Sequence, residues 1–258
     1  MMDSDGPGSE LFVLDNWETL HEFRVTNNSL EEHGSITLPR TLAAADMSYA
    51  PAGGTDSVLI AGTLDGRGIV ARYALDGRQL QVWTFRNFCS GIDFGAKSHT
   101  AYVATSDSNE IYQLDLKGTE SAYVTRISNA TKLGPLAFDE ASQKIYIADV
   151  AAGVIYQYSL GTKTSKVLVS DLSTPNALSF DPDTGRLYIA DPGRRAIFTV
   201  DTHSTKPKAT EFVSRPLKSP YGMALLSNDR MAVADYGANS VFVFSSKGAL
   251  LFRFPPKN

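Results

Sequence analysis

Short runs of β-branched, aromatic and small apolar residues recur along the chain at nearly constant spacing. The clearest are Lys144–Asp149 (KIYIAD), Arg186–Asp191 (RLYIAD) and Arg230–Asp235 (RMAVAD). Six runs are visible in all, and they end at Asp15, Gly62, Thr105, Asp149, Asp191 and Asp235. The intervals between these ends are 47, 43, 44, 42 and 44 residues. A period in the low forties is typical of a β-propeller blade, a four-stranded antiparallel sheet.

Each repeat carries the same order of strands and turns. In the fifth, an apolar strand (Asn176–Phe180) precedes the KIYIAD-type run, and an alternating strand (Ala196–Val200) and an outer strand (Thr210–Val213) follow it. No window shows a sustained period of 3.6 residues, so helices are not expected. A β-sandwich could have a similar strand count, but it would not repeat six times. The sequence therefore predicts an all-β, six-bladed β-propeller of four-stranded antiparallel blades.

The first repeat departs from this pattern because it begins at Leu11 with its second strand. We therefore expect 23 strands (6 × 4 − 1) and an incomplete first blade. Three explanations stay open: residues 1–10 supply a short irregular strand, the chain has lost its start, or the blade has three strands. The predicted division is a tail at residues 1–10, which could derive from a cloning vector, and one propeller domain at residues 11–258.

Composition and charge exclude several classes of function. The chain has 24 Lys and Arg against 28 Asp and Glu, a net charge of −4, and no basic stripe, so we expect no nucleic-acid partner. No apolar run approaches the ~18 residues of a membrane span. The segment Met1–Asp5 lacks the features of a signal peptide. The compartment stays open, with an extracytoplasmic or secreted location favoured and the leader absent from this chain.

A ligand site is expected at one end of the central channel, which we call the channel mouth. The innermost strands begin and the second strands end at this end of the channel. Ligand sites are usually concave, and the opening of a channel is such a place. Aspartates that recur there (Asp149, Asp191 and Asp235) fit a scaffold role, because an Asp before a tight turn accepts backbone N–H groups. The residues predicted to bind a ligand are those that do not repeat: Trp17, Asp46, Cys89, Asn176, Arg195 and Tyr221.

Three segments resemble known propeller families. The residues Asp235–Val241 (DYGANSV) resemble NHL repeats. Thr174–Asp191 is similar to the gluconolactonase and senescence-marker-protein family and to strictosidine-synthase-like propellers, which carry Pro-Asn-Gly before the inner strand. Ser219–Met223 (SPYGM) resembles the Pro-Asp-Gly-Met of the gluconolactonase family. These resemblances imply a six-bladed propeller that either binds ligands or hydrolyses lactones.

The gluconolactonase resemblance also implies a divalent cation, typically calcium, on a Glu, two Asn and an Asp at the channel mouth. Asn176 matches one Asn, and Asp46 is the carboxylate nearest to the Glu position, one residue out of register. Tyr221 stands in place of the Asp, and Gly134 and Pro135 stand near the second Asn. Asn176 and Asp46 are therefore the only candidate metal ligands. These departures put the metal-dependent lactonase chemistry in doubt.

Three functions stay open. The first is a non-catalytic, NHL-like propeller that needs no cofactor and presents the channel mouth to a small molecule, protein or peptide. The second is a lactone or ester hydrolase with a degenerate metal site, or a metal-free catalyst in the channel. The third is a structural module of a larger extracellular protein. The sequence has no Gly-x-Ser-x-Gly or His-Glu-x-x-His motif, and its four histidines fall in turns or outer strands. Cys89 is a candidate nucleophile or a small buried hydrophobe.

Overall fold

Six four-stranded antiparallel sheets account for nearly all of the described chain. The computed structural model describes residues 2–4, 10–15, 19–26, 29–39, 42–52, 54–226 and 229–254. In every sheet the strands lie side by side in chain order, so each sheet is a simple up-and-down blade. The predicted all-β, six-bladed propeller is confirmed.

The strands are numbered in chain order, four to a blade. Blades one to three comprise β1 (Met2–Ser4), β2 (Glu10–Asp15), β3 (Thr19–Val25), β4 (Leu30–Thr37), β5 (Leu42–Tyr49), β6 (Ser57–Leu64), β7 (Arg67–Ala74), β8 (Gln79–Phe85), β9 (Cys89–Gly95), β10 (Thr100–Thr105), β11 (Glu110–Asp115) and β12 (Ser121–Arg126). Blades four to six comprise β13 (Leu133–Asp139), β14 (Lys144–Asp149), β15 (Val154–Ser159), β16 (Thr164–Val169), β17 (Ala177–Asp181), β18 (Arg186–Asp191), β19 (Ala196–Asp201), β20 (Thr210–Val213), β21 (Pro220–Leu226), β22 (Arg230–Asp235), β23 (Ser240–Ser245) and β24 (Leu250–Phe254). A 3-10 turn, Tyr236–Ala238, connects β22 to β23.

The first blade has an innermost strand, but a very short one. Met2–Ser4 pairs antiparallel with β2 and lies between the innermost strands β5 and β21 of the neighbouring blades. Of the three explanations for the missing strand, the structure shows the first, a short strand from residues 1–10. The blade is incomplete only in that this strand has three residues. The domain boundary at residue 11 stays a prediction, because residues 5–9 lie outside the described residues.

The second strand of each blade is buried on both faces, which explains why its sequence is a continuous apolar run. In β14, Tyr146 and Ala148 pack into the cluster shared with blade five. Ile145 and Ile147 point the other way, into the cluster shared with blade three. Alternate residues thus face opposite neighbours, as the pleat of a strand requires. The hydrophobic core of the protein is therefore a ring of interfaces between blades.

Side-chain packing, rather than a blade shared between the termini, closes this ring. All four strands of blade one precede those of blade two in the chain, and blade six is built from the last four. Between them the rings of Phe23 and Phe254 meet edge to face, with centroids 5.3 Å apart. The guanidinium of Arg230 donates a hydrogen bond to the carbonyl of Thr26 at 2.9 Å. The junction of first and last blades is therefore held by side chains.

Among the described residues, no helix has the length and apolar character needed to span a bilayer.

Candidate functional site

A β-bulge marks the channel-mouth end of several innermost strands. One residue is inserted relative to the paired second strand at Ala45 in β5, Ser90 in β9 and Tyr221 in β21. The segment Gly134–Pro135 forms a similar irregularity in β13. A bulge leaves its extra residue unpaired and turns the side chain away from the regular pleat. Several of the residues predicted at the mouth therefore lie at or next to a bulge, where the direction of the side chains departs from the regular pleat.

The recurrent aspartates are scaffold, as predicted. The carboxylate of Asp191 accepts hydrogen bonds from the backbone N–H groups of Ser173 at 2.7 Å, Thr174 at 3.0 Å and Arg194 at 3.2 Å. Asp149 and Asp235 bind the equivalent three N–H groups of blades four and six. Each carboxylate is almost completely buried. It thereby ties the loop that enters the innermost strand to the turn that follows the second strand.

Two further carboxylates line the channel and connect neighbouring blades. Asp46 accepts the N–H of Ile92 in blade three at 3.0 Å, and that of its neighbour Met47 at 3.0 Å. Asp93 repeats this contact one blade further on, accepting the N–H of Phe138 at 2.7 Å. Both carboxyl groups are enclosed by protein, although each residue keeps some exposure to the channel. These contacts satisfy N–H groups on the inner edge of the blades, which lack a neighbouring strand.

Burial changes the acidity of both channel carboxyl groups. It raises the pKa of Asp46 to about 7, against a lowering by the N–H groups of Ile92 and Met47. It raises the pKa of Asp93 to about 6, again against the hydrogen bonds that the carboxylate accepts. Loss of hydration disfavours the charged form of an acid. Both groups therefore titrate near neutral pH.

Asn176 opens the innermost strand of blade five without a bulge. Its backbone N–H donates to the carbonyl of Ala190 at 2.9 Å, which places the residue at the mouth. Its side chain is partly exposed and makes no hydrogen bond to any described residue. Of the two candidate metal ligands, Asn176 is thus the one whose side chain makes no described hydrogen bond.

Tyr221 meets a second tyrosine that the sequence analysis missed. The rings of Tyr221 and Tyr236 stand edge to face with centroids 5.9 Å apart, and they are 44% and 82% exposed. Tyr236 follows the capping Asp235, and its N–H donates to the carbonyl of Ser219 at 2.9 Å. The equivalent positions in blades four and five are Val150 and Pro192. An aromatic side chain in this turn, which blades four and five lack, was the available signal.

Arg195 lies at the mouth on the exposed turn between β18 and β19. Its backbone adopts the left-handed conformation, with φ of 55°. The neighbouring Arg194 donates to the carbonyl of Asp171, and its guanidinium carbon lies 5.5 Å from the centroid of the Phe198 ring. Arg195 makes no ion pair with any described residue and extends into solvent. The predicted Trp17 lies outside the described residues.

Cys89 is not at the mouth surface. The residue is completely buried in the core between blades two and three, where its sulfur lies under Gly68. Burial raises the pKa of the thiol to about 12. The bulge at Ser90 changes the alternation of β9, so Cys89 faces the core instead of the channel. The thiol stays protonated at neutral pH and offers no nucleophile to a ligand.

The residues near the implied cation position do not form a calcium site. Both oxygens of Asp46 already hold backbone N–H groups, and with a pKa of about 7 the carboxyl is partly protonated at neutral pH. Gly134 and Pro135 have no side-chain oxygen, and Tyr221 packs against Tyr236. Asn176, across the ring from Asp46, leaves one neutral oxygen. A calcium ion takes 6–8 oxygen ligands, usually with several carboxylates.

Away from the mouth, blade one carries a cluster of Glu10, Glu22 and His33. Their ligating atoms all lie within 4.8 Å of one another. The Nε2 atom of His33 lies 2.5 Å from a carboxylate oxygen of Glu10, and Arg24 Nε lies 3.8 Å from the other oxygen. The cluster depends on cross-strand register, so the spacing of these residues in the sequence did not reveal it. Arg24 supplies positive charge that a bound cation would otherwise provide.

Comparison with known proteins supports the resemblance seen in the later repeats. Residues 133–256 match the family model "SMP-30/Gluconolactonase/LRE-like region". The match covers blades four to six, 124 of the 258 residues. The predicted resemblance is confirmed for this part of the chain.

A solved structure shares the fold of the whole ring. It is described as "Crystal structure of Nidogen/Laminin Complex" and superposes with a TM-score of 0.80. The superposition covers 96% of this chain and 94% of that one, at 16% identity. At this identity the likeness shows the fold alone.

Proposed function

We propose that this chain is a non-catalytic binding propeller whose site is the channel mouth, centred on blades five and six. The exposed tyrosine pair Tyr221–Tyr236 is the observation that carries the proposal. Tyrosine is one of the residues enriched in the centres of protein interfaces. Tyr221 stands where the resembled family has an aspartate, so this position presents an aromatic ring in place of a metal ligand.

The scaffold beneath the pair supports this role. Asp235 holds the N–H groups of Lys218, Ser219 and Ala238, which fixes the loop before β21 and the turn after β22. A Cβ atom on Gly237 would lie 3.0 Å from the Cβ atoms of Lys218 and Ser219, so loop and turn are in close contact. Binding residues held on a rigid framework lose little entropy when a partner arrives. The pair is therefore pre-organised.

The donor set argues against a resident cation at the mouth. Metal-dependent lactone hydrolysis needs a cation to polarise the carbonyl and to activate water. Among the positions that the resemblance implies, Asn176 alone offers an amide or carboxylate oxygen that no described hydrogen bond engages. We therefore assign no metal to the proposed function.

A metal-free catalyst in the channel is the second candidate. It is favoured by the raised pKa values of Asp46 and Asp93, because a general acid or base works best when its pKa lies near the working pH. Both carboxyl groups are engaged by N–H groups of the next blade, so a structural role also accounts for them. Turnover of lactone or ester substrates that is lost in Asp46→Asn would favour this candidate.

The experiment is a fragment screen read by protein NMR, with lactone and ester turnover measured in parallel. Wild type is compared with a Tyr221→Ala, Tyr236→Ala double variant. Tyr123→Ala is the matched control, because Tyr123 is 58% exposed and meets Tyr112 edge to face at the same 5.9 Å on the outer part of blade three. We expect hits whose dissociation constants rise at least ~10-fold in the double variant and less than ~2-fold in the control. Hits that bind the double variant unchanged would contradict the proposal.

A further inference from the structure

The exposed charges around the tyrosine pair have one predominant sign. Four described loops meet in this sector of the mouth: residues 170–176, 192–195, 214–219 and 236–239. They carry four exposed cations, Arg194, Arg195, Arg215 and Lys218, and one exposed carboxylate, Asp171. This excess of positive charge belongs to a chain whose net charge is −4. The sector is therefore unlike the protein as a whole.

These loops lie together because they cover one interface. Leu217 is buried in the cluster that joins Ala190 and Ile197 of blade five to Met223 of blade six. The loop that carries Arg215 and Lys218 therefore runs over the boundary between the two blades. Lys218 also packs against Gly237, beside Tyr236. Lys218 thus lies beside the aromatic pair, and Arg194 and Arg195 lie on the turn of the adjoining blade.

Three of the four exposed cations have no carboxylate partner. Arg195, Arg215 and Lys218 form no ion pair with any described residue, whereas Arg194 Nε lies 3.9 Å from a carboxylate oxygen of Asp191. The two buried aspartates beneath the sector, Asp191 and Asp235, each accept three backbone N–H groups. On the opposite face, by contrast, Asp76 and Arg78 pair with each other at 3.1 Å.

We infer that this sector docks an acidic segment of a partner polypeptide, with carboxylates on the cations and an apolar or aromatic side chain on the tyrosine pair. The inference rests on the proposed binding function and specifies its partner. Arg and Tyr are among the residues enriched in the energetic centres of protein interfaces. Arg pairs with carboxylates through two parallel hydrogen bonds, and unpaired surface cations steer an acidic partner towards the site.

An extended segment suits this surface better than other polyanions do. The cations are spread over loops of two blades and the exposed aromatic pair lies beside Lys218, so a chain that crosses the sector can use both. Nucleic acid is bound by broader basic surfaces, since each neutralised phosphate needs its own cation. The four cations here occupy one sector of an acidic protein.

The test is fluorescence anisotropy with a labelled dodecapeptide of alternating Asp and Glu, measured at ~20 mM and ~150 mM NaCl. A dodecapeptide of alternating Asn and Gln is the neutral probe, and dextran sulfate is the polyanion that is not a polypeptide. Wild type is compared with Arg194→Gln, Arg195→Gln, Lys218→Gln. The control is Lys206→Gln, Lys208→Gln, Lys247→Gln, which removes the same charge from exposed positions on the opposite face.

We expect the acidic peptide to bind at least ~10-fold more weakly to the mouth variant and less than ~3-fold more weakly to the control. The neutral peptide should not bind measurably. Three results would each overturn the inference. The acidic peptide could fail to bind, both variants could weaken its binding equally, or the affinity for dextran sulfate could depend on the mouth cations in the same way. If the acidic peptide does not bind while the binding of fragment hits still depends on the tyrosine pair, the proposed binding function stands and only the acidic partner is excluded.

Discussion

The carboxylate of Asp46 in blade two accepts the backbone N–H of Ile92 in blade three at 3.0 Å. Asp93, on the same innermost strand as Ile92, makes the equivalent contact with Phe138 in blade four at 2.7 Å. Three consecutive innermost strands are therefore connected through carboxyl groups inside the channel. The inner edge of each of these strands faces no other strand, so these side chains supply acceptors that a sheet would otherwise provide.

The raised pKa of Asp46 predicts that stability falls as the pH rises. Because the folded pKa is about 7 and the usual value is 3.8, the folded state retains the proton between these values and the unfolded state releases it. This contribution is complete below pH ~4 and is lost as the pH rises through ~7. Asp46→Asn removes the titration. Between pH ~5 and ~8, the free energy of unfolding of wild type should fall relative to the variant by about 2 kcal/mol.

Urea denaturation at several pH values measures this difference. Asp183→Asn is the control, because it removes one carboxyl group from an exposed turn away from the channel. A constant difference between wild type and Asp46→Asn across this range would show that the carboxyl group is not held in its neutral form.

Asp191 should be worth far more to stability than an exposed aspartate. Asp191→Ala leaves three backbone N–H groups without their acceptor in a buried position, and we expect a loss of about 2–4 kcal/mol. Asp191→Asn, which keeps one oxygen, should lose less. Thermal and urea unfolding measure both, with Asp183→Ala as a control expected to change stability by under ~0.5 kcal/mol. Equal losses of unfolding free energy in Asp191→Ala and Asp183→Ala would contradict the scaffold role of Asp191.

The junction between the first and last blades should depend on Phe254. Phe254→Ala removes the ring that meets Phe23 and should lower the free energy of unfolding by about 2–3 kcal/mol. Leu251→Ala, on the same strand but exposed, should cost under ~0.5 kcal/mol. Urea denaturation compares the two variants. A similar small effect for both would mean that side-chain packing at this junction does not hold the ring closed.

Cys89 should be inert in the folded protein. It is fully buried and its thiol pKa is raised to about 12, so the reactive thiolate is scarce at neutral pH. We expect a disulfide reagent such as DTNB to leave the native protein unmodified and to label the single cysteine once the chain is unfolded in guanidinium. Rapid labelling of the native protein, at the rate of a free thiol in solution, would place Cys89 at an accessible surface instead.

Much of the fold could be predicted because each blade must bury its second strand between two neighbouring blades. Residues such as Ile145 and Tyr146 must be apolar on both faces of the second strand, and this produced a run that recurs in every repeat. The capping aspartates of blades four to six recur for the same reason, since each of these blades has three N–H groups to satisfy at one corner. Met2–Ser4 was not recognisable, because a three-residue strand is too short to carry a pattern.

The candidate site was less predictable because it depends on local departures from the repeat. A bulge at Ser90 directs Cys89 into the core, and a bulge at Tyr221 directs that ring towards Tyr236. Neither shift can be read from alternation along a strand. The contact of Asp46 with Ile92 joins residues of different blades, so it depends on how the blades are placed around the channel.

The measurement that tests the account most directly is a thermal melt after chelator treatment, repeated with calcium, magnesium, manganese or zinc added back. A ligand bound only by the folded state adds about 2.7 kcal/mol of stability at a hundred times its dissociation constant. The comparison includes Asn176→Ala at the mouth and His33→Ala at the blade-one cluster. A binding propeller without a metal at its mouth predicts no ion-specific rise in melting temperature that depends on Asn176. A rise that is lost in Asn176→Ala and kept in His33→Ala would contradict it and restore a metal-dependent enzyme.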